Sequence, residues 1–108
     1  MNNKVLVKII EPIMNESFDM YIPVNEYIWV VKKLIAKNLS GLLPAYSDNV
    51  KTVLINMDTS RIYTNNEIII DTDIRNGTKI IIIVEKKIVK LPNKVNINRL
   101  KSILRPNV

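Results

Sequence analysis

The chain opens with two stretches in which apolar residues recur at every second position. Between Lys4 and Ile10, Val5, Val7 and Ile9 fall on one face, and between Ser17 and Ile22, Phe18, Met20 and Ile22 do the same. A period of two belongs to a half-buried strand, so each stretch predicts one. The intervening Glu11 to Glu16 carries Pro12 and Asn15 and reads as a turn, which makes the pair a hairpin. The period then lengthens. Ile28, Val31, Ile35 and Leu39 follow at spacings of three, four and four, which is one face of a helix. Asn25 suits its N-cap, with Glu26 in the first turn, and Gly41 suits its C-terminal cap. Pro44 keeps the helix from resuming.

Strand character returns between Val50 and Met57, with Val53 and Ile55 on one face and Leu54 and Asn56 on the other. Arg61-Ile62-Tyr63 is a short strand set between the turns Asp58-Thr59-Ser60 and Thr64-Asn65-Asn66. Ile68-Ile69-Ile70 leads into Asp71-Thr72-Asp73-Ile74, and Asn76-Gly77 is a strong turn signal because both residues tolerate positive φ. Thr78 to Val84 is the most β-branched run and predicts a central strand. Glu85 to Leu91 either prolongs that strand or leaves the sheet, and Pro92-Asn93 breaks it. Asn96 suits the cap of a final short helix from Ile97 to Leu104. The expected class is therefore α+β: a mixed sheet of four to five strands packed on one helix, followed by a C-terminal extension.

Composition narrows the function. A chain of 108 residues with 47% apolar content suffices for one domain with a modest core. It has neither histidine nor cysteine. That removes the commonest zinc and redox ligands, the usual general base near neutral pH and any disulfide framework. There is no Gly-rich phosphate loop, and Asp71 and Asp73 sit in a turn where such side chains bond nearby backbone N–H groups. An enzyme is not expected, and no cofactor or metal is implied. No apolar run reaches the ~20 residues that span a bilayer. Met1-Asn2-Asn3-Lys4 leads into a strand rather than into a signal peptide's apolar segment, so a cytoplasmic protein is expected.

Charge divides the chain. Residues 1–84 carry nine basic side chains (Lys4, Lys8, Lys32, Lys33, Lys37, Lys51, Arg61, Arg75, Lys79) and nine acidic ones (Glu11, Glu16, Asp19, Glu26, Asp48, Asp58, Glu67, Asp71, Asp73). Residues 85–108 set Lys86, Lys87, Lys90, Lys94, Arg99, Lys101 and Arg105 against Glu85 alone, so this tail holds the whole net charge of +6. The expected organisation is a neutral domain over 1–84 and a basic extension over 85–108.

The order hairpin, helix, strand, short strand, final strand resembles the ubiquitin-like β-grasp over residues 4–84. Phe18-x-Met20-x-Ile22-Pro23 with Ile28-x-x-Val31-Lys32-x-x-Ile35 resembles the second strand and helix of ubiquitin. Ile69-Ile70-Asp71-Thr72-Asp73-Ile74 resembles the family's Leu-x-Asp-x-x-Ile turn, and Ile74-x-x-Gly77-x-x-Ile80-x-Ile82 resembles its glycine turn into the last strand. Ser17 to Ile22 and Asp73-Ile74-Arg75-Asn76-Gly77-Thr78 are also similar to the YukD/EsaB group, small bacterial ubiquitin-like proteins that accompany type VII (WXG100) secretion systems. Members are about 80 residues long, so the extension and the Gly41 to Thr52 region depart from that pattern. The resemblance implies an accessory or regulatory role through protein partners, secretion-machinery components among them. It also implies no conjugation through a C-terminal Gly-Gly, because the only glycines are Gly41 and Gly77.

Three surfaces are candidates. Where Ile80 and Ile82 face the helix, Ile81 and Ile83 face away; with Leu6 on the adjacent strand they form an apolar patch, to be covered by the tail, a partner or a second copy of the chain. Burying such a patch is worth about 25 cal/mol per Å². Trp29, off the helix's apolar stripe beside Val30, is a core-edge residue or an interface anchor. The basic tail is a solvated appendage docked on its own domain, or a contact for nucleic acid, anionic lipid or acidic protein. It lacks aromatics, which counts against base stacking.

Overall fold

The computed structural model describes residues 3–42, 46 and 51–85. Pro44, the basic residues Lys86 to Arg105 and the expected helix over 97–104 lie outside the described residues. The elements follow the predicted order: β1 (Lys4–Glu11), β2 (Glu16–Pro23), α1 (Ile28–Leu39), β3 (Thr52–Asn56), β4 (Ile62–Tyr63), a 3-10 turn (Ile69–Asp71) and β5 (Lys79–Val84). They form one five-stranded mixed sheet in the order β2-β1-β5-β3-β4. β1 and β5 are parallel, and the other pairs are antiparallel. The isoleucine strand β5 is therefore central, paired on both edges and buried between its neighbours, as its β-branched composition predicts.

One face of the sheet packs on α1. It presents Val5, Val7 and Ile9 from β1, Ile22 from β2, Leu54 from β3 and Ile80 and Ile82 from β5 to Ile28, Val31, Ile35 and Leu39 of the helix, all buried. Ile69 and Ile74 close the core from the connection before β5. Phe18 and Met20 pack against this core only partly buried, because β2 is an edge strand that the helix overhangs incompletely.

The ends of the helix differ from the sequence reading. Tyr27, not Asn25, is the N-cap, and no side chain caps the end. The first turn is instead satisfied by the remote loop before the 3-10 turn. Ile28 N–H donates to the Glu67 carbonyl at 2.8 Å and Trp29 N–H to the Asn65 carbonyl at 3.3 Å. Only the folded chain can bring those carbonyls to the free donors of the helix. At the other end Ser40, in a right-handed helical conformation, is the C-cap. Gly41 does not adopt positive φ; Gly77 does, at 91°, in the turn into β5. There its N–H donates to the Leu6 carbonyl, and the Asn76 side chain accepts from Leu6 N–H.

Two buried polar groups close the open ends of the core. Glu11, fully buried, accepts from Met14 N–H at 2.7 Å and from the Tyr46 hydroxyl at 3.0 Å. Burial, reinforced by the Glu11 carboxylate, raises the Tyr46 pKa above the usual phenol range. At the β3–β4 end, Tyr63 donates to Asp73 at 2.6 Å and accepts from Asn56 Nδ2 at 3.0 Å. Burial and the hydrogen bond to Asp73 push its pKa up to about 12. The turn around Asp71 and Asp73 is organised differently from the reading above. Thr72 makes the local bonds, to the Ile69 carbonyl and from Ile74 N–H, while Asp73 reaches out to Tyr63 and Arg61.

Candidate protein-interaction site

The face of the sheet turned away from α1 is built by the residues alternating with the core. The strand register decides which of them meet. Ile10 of β1 is level with Ile81 of β5, Ile81 with Ile55 of β3, and Ile55 with Ile62 of β4. Four isoleucines thus form one transverse row across four strands. Ile83 and Val53 make a second row beside it. Ile62 is 57% exposed, and the others are half-buried by their neighbours on the same face.

Of the expected patch, Ile81 and Ile83 take these places. Leu6 does not join them. It is paired with Tyr21 and lies level with Gly77, four residues before Ile10 on the same strand. At 3.3 Å per residue that is about 13 Å away. The parallel register of β1 on β5 is the cause, because it aligns Ile10, not Leu6, with the isoleucine run. Ile10, Val53, Ile55 and Ile62 escaped the sequence reading. Their alternation was visible, but their adjacency depends on a register that a single strand does not carry.

Charged residues of both signs rim this face. Lys8 and Lys79 lie level on β1 and β5, beside a shallow depression of about 290 Å³ that Ile10 and Met57 also line. Lys8 meets Asp19 at 3.8 Å with both side chains well exposed, a pairing worth little on a surface. At the far edge Arg61 bonds Glu67 and lies 3.4 Å from Asp73, with its guanidinium 5.1 Å from the Tyr63 ring centroid. Backbone N–H donation from Thr64 is the first cause that lowers the Glu67 pKa, ahead of the bond from Arg61. These contacts hold β4, and with it Ile62, in place.

Trp29 is 44% exposed on α1, on the opposite side of the molecule from the isoleucine row, with Lys33 Nζ 5.3 Å from its ring centroid. Lys32 beside it donates to Asn65 Oδ1 at 2.7 Å, and burial lowers its pKa despite the attraction of Glu85. The structure therefore separates Trp29 from Ile81 and Ile83 rather than uniting them. The tail lysines and arginines lie outside the described residues. Among the described residues no group of three or more acidic side chains could hold a metal ion, and no helix is long and apolar enough to cross a membrane.

No known protein family profile matches the chain, and no curated protein matches it. Solved structures do. The N-terminal ubiquitin-like domain of the 4931431F19Rik protein is similar at a TM-score of 0.56 and 19% identity, over 80% of this chain and 79% of that one. The ubiquitin of Caldiarchaeum subterraneum is similar at a TM-score of 0.58 and 15% identity, over 77% and 95%. A chain of the MycP5-free ESX-5 inner membrane complex is similar at a TM-score of 0.65 and 10% identity; it covers 98% of this chain, which spans 28% of its length. The fold is the ubiquitin-like β-grasp.

Proposed function

We propose that this protein is a non-catalytic interaction module that binds a protein partner through the outer face of its sheet, as a cytoplasmic accessory or regulatory component of a type VII secretion system. The observation that carries the binding role is the row Ile10–Ile81–Ile55–Ile62 with Ile83 and Val53 beside it. An apolar strip on a sheet already supplied with its own helix has no further role within the core, and contiguous apolar surface marks contact sites. The secretion role is supported by the similarity of Ser17 to Ile22 and Asp73 to Thr78 to the YukD/EsaB group, and by the fold likeness to a chain of the ESX-5 inner membrane complex.

The test is capture of purified type VII membrane components by the full chain, at low and high salt. An apolar interface retains its partner at high salt and loses it on Ile81→Asp or Ile55→Asp. Failure of every component to bind, or binding indifferent to both substitutions, overturns the reading. The second reading places the contact in the basic tail, with nucleic acid or an anionic membrane surface as the ligand. It is favoured by the seven basic residues set against Glu85. Binding of that kind weakens steeply with salt and ignores Ile81→Asp.

A further inference from the structure

The turn into β5 carries a covalent chemistry of its own. Asn76-Gly77 is the only place in the chain where asparagine precedes glycine, and Asn76 is exposed. Such a pair is intrinsically reactive. The Gly77 peptide nitrogen, once its proton passes to solvent base, attacks Cγ of the Asn76 carboxamide. The N–Cγ bond forms, the Cγ–Nδ2 bond breaks and ammonia leaves, which closes a five-membered imide. Water then opens one of the two ring C–N bonds. Opening at Cγ gives aspartate, and opening at the former main-chain carbonyl gives isoaspartate. One water is consumed and one ammonia released, with no change of oxidation state.

The fold holds both reacting groups. The Gly77 N–H, whose proton must be given up, donates to the Leu6 carbonyl at 2.8 Å. The Asn76 carboxamide, which must swing onto that nitrogen, accepts through Oδ1 from Leu6 N–H at 2.7 Å. One residue of β1 thus grips nucleophile and electrophile together. The turn is fastened on both sides of this grip: Thr78 N–H donates to the Arg75 carbonyl at 3.0 Å, and Lys8 N–H to the Thr78 carbonyl at 3.0 Å. Imide closure has to wait until the turn lifts from Leu6.

The two products differ for a geometric reason. Aspartate keeps the backbone, and its carboxylate accepts from Leu6 N–H as the amide did, with added charge. In isoaspartate Cγ is bonded directly to the Gly77 nitrogen. The old Oδ1 and the Gly77 N–H then belong to one trans peptide and point in opposite directions, so they cannot both meet Leu6. At least one bond is lost where β5 joins β1, beside a ladder of only three residue pairs, Lys8 with Lys79, Ile9 with Ile80 and Ile10 with Ile81.

We propose that Asn76 is a modification site gated by the fold: the grip of Leu6 holds off deamidation, and conversion to isoaspartate loosens β5 from β1. The effect reaches the outer face of the sheet, because the third pair of that ladder belongs to the isoleucine row.

The test compares the full chain with a peptide of residues 72–80 in mildly alkaline buffer. Peptide mapping by mass spectrometry, with fragmentation that separates isoaspartate from aspartate, gives the rate at Asn76. Amide exchange gives the protection of Gly77. Both processes need the Gly77 N–H released from Leu6. The folded chain therefore deamidates at least about tenfold more slowly than the peptide, and by the factor that the fold slows Gly77 exchange, to within about threefold. The isoaspartyl chain, isolated by chromatography, loses Gly77 protection and the nuclear Overhauser contact between Ile10 and Ile81, whereas Asn76→Asp keeps both. The gate is overturned by a smaller slowing, or by one that disagrees with Gly77 exchange beyond that margin. The structural consequence is overturned by an isoaspartyl chain that keeps protection and contact, or by an Asn76→Asp chain that loses them.

Discussion

Tyr63→Phe tests whether the short strand β4 is held by its side-chain network. The ring stays in the core, and only the hydroxyl is lost. That hydroxyl donates to Asp73 at 2.6 Å and accepts from Asn56 at 3.0 Å. A hydrogen bond to a charged group contributes about 1.5–3 kcal/mol, and an unpaired buried donor costs about 1–3. Asp73 is 41% exposed and regains water, so only the Asn56 amide is stranded in full. The net expectation is a loss of about 2–3 kcal/mol at pH 7, or about 10 °C in Tm for a chain of this size. The pH dependence is a second, independent signature. Tyr63 ionises near 12 in the folded protein against about 10 unfolded. A raised native pKa contributes stability that is complete below pH 10 and is lost as pH rises from 10 to 12. The wild type loses this contribution over that window and Tyr63→Phe has none to lose, so the gap between them narrows by about 2–3 kcal/mol. Urea denaturation followed by Trp29 fluorescence and circular dichroism, at pH 7 and at intervals to pH 11.5, measures both effects. Equal midpoints at pH 7, or a gap constant through pH 11.5, would refute the account.

The remaining predictions concern the core, the closing pair, the turn and the face. Ile82→Ala empties a fully buried site and destabilises by about 2–5 kcal/mol, whereas Ile81→Ala, one residue away on the outer face, costs well under half as much; denaturant midpoints compare them. Tyr46→Phe removes a donor from the buried Glu11 carboxylate and lowers stability by about 1–3 kcal/mol, which Glu11→Leu with Tyr46→Phe partly restores in a double-mutant cycle. Gly77→Ala meets open space but keeps φ at 91°, and costs about 1 kcal/mol through backbone strain alone. Trp29→Ala changes stability by less than about 1 kcal/mol, because the ring is 44% exposed and pairs with Lys33 at the surface.

Most of the fold was legible in the residues, because alternation and helical spacing are local. Val5, Val7 and Ile9 face inward for the same reason they recur at every second position. Ile28, Val31, Ile35 and Leu39 line one side because a helix turns every 3.6 residues. Gly77 announced its turn because few other residues accept its φ. The isoleucine run declared itself central because it is the most β-branched stretch of the chain and suits a strand paired on both sides.

What the sequence could not contain is anything that depends on which strand lies beside which, and in what register. Leu6 looked like the neighbour of Ile81 until the parallel pairing set Ile10 there instead. The helix N-terminus lacked a capping side chain because carbonyls nearly forty residues away serve it. Glu11 and Tyr46, and Tyr63, Asn56 and Asp73, gave no signal as polar residues because burial is a property of the assembled core. β2 stands at the edge of the sheet, among the described residues, only because the fold places it beside β1 alone. Side-chain periodicity is written residue by residue. Adjacency is settled by the long-range pairing that buries the most apolar surface while leaving no backbone group in the core without a partner.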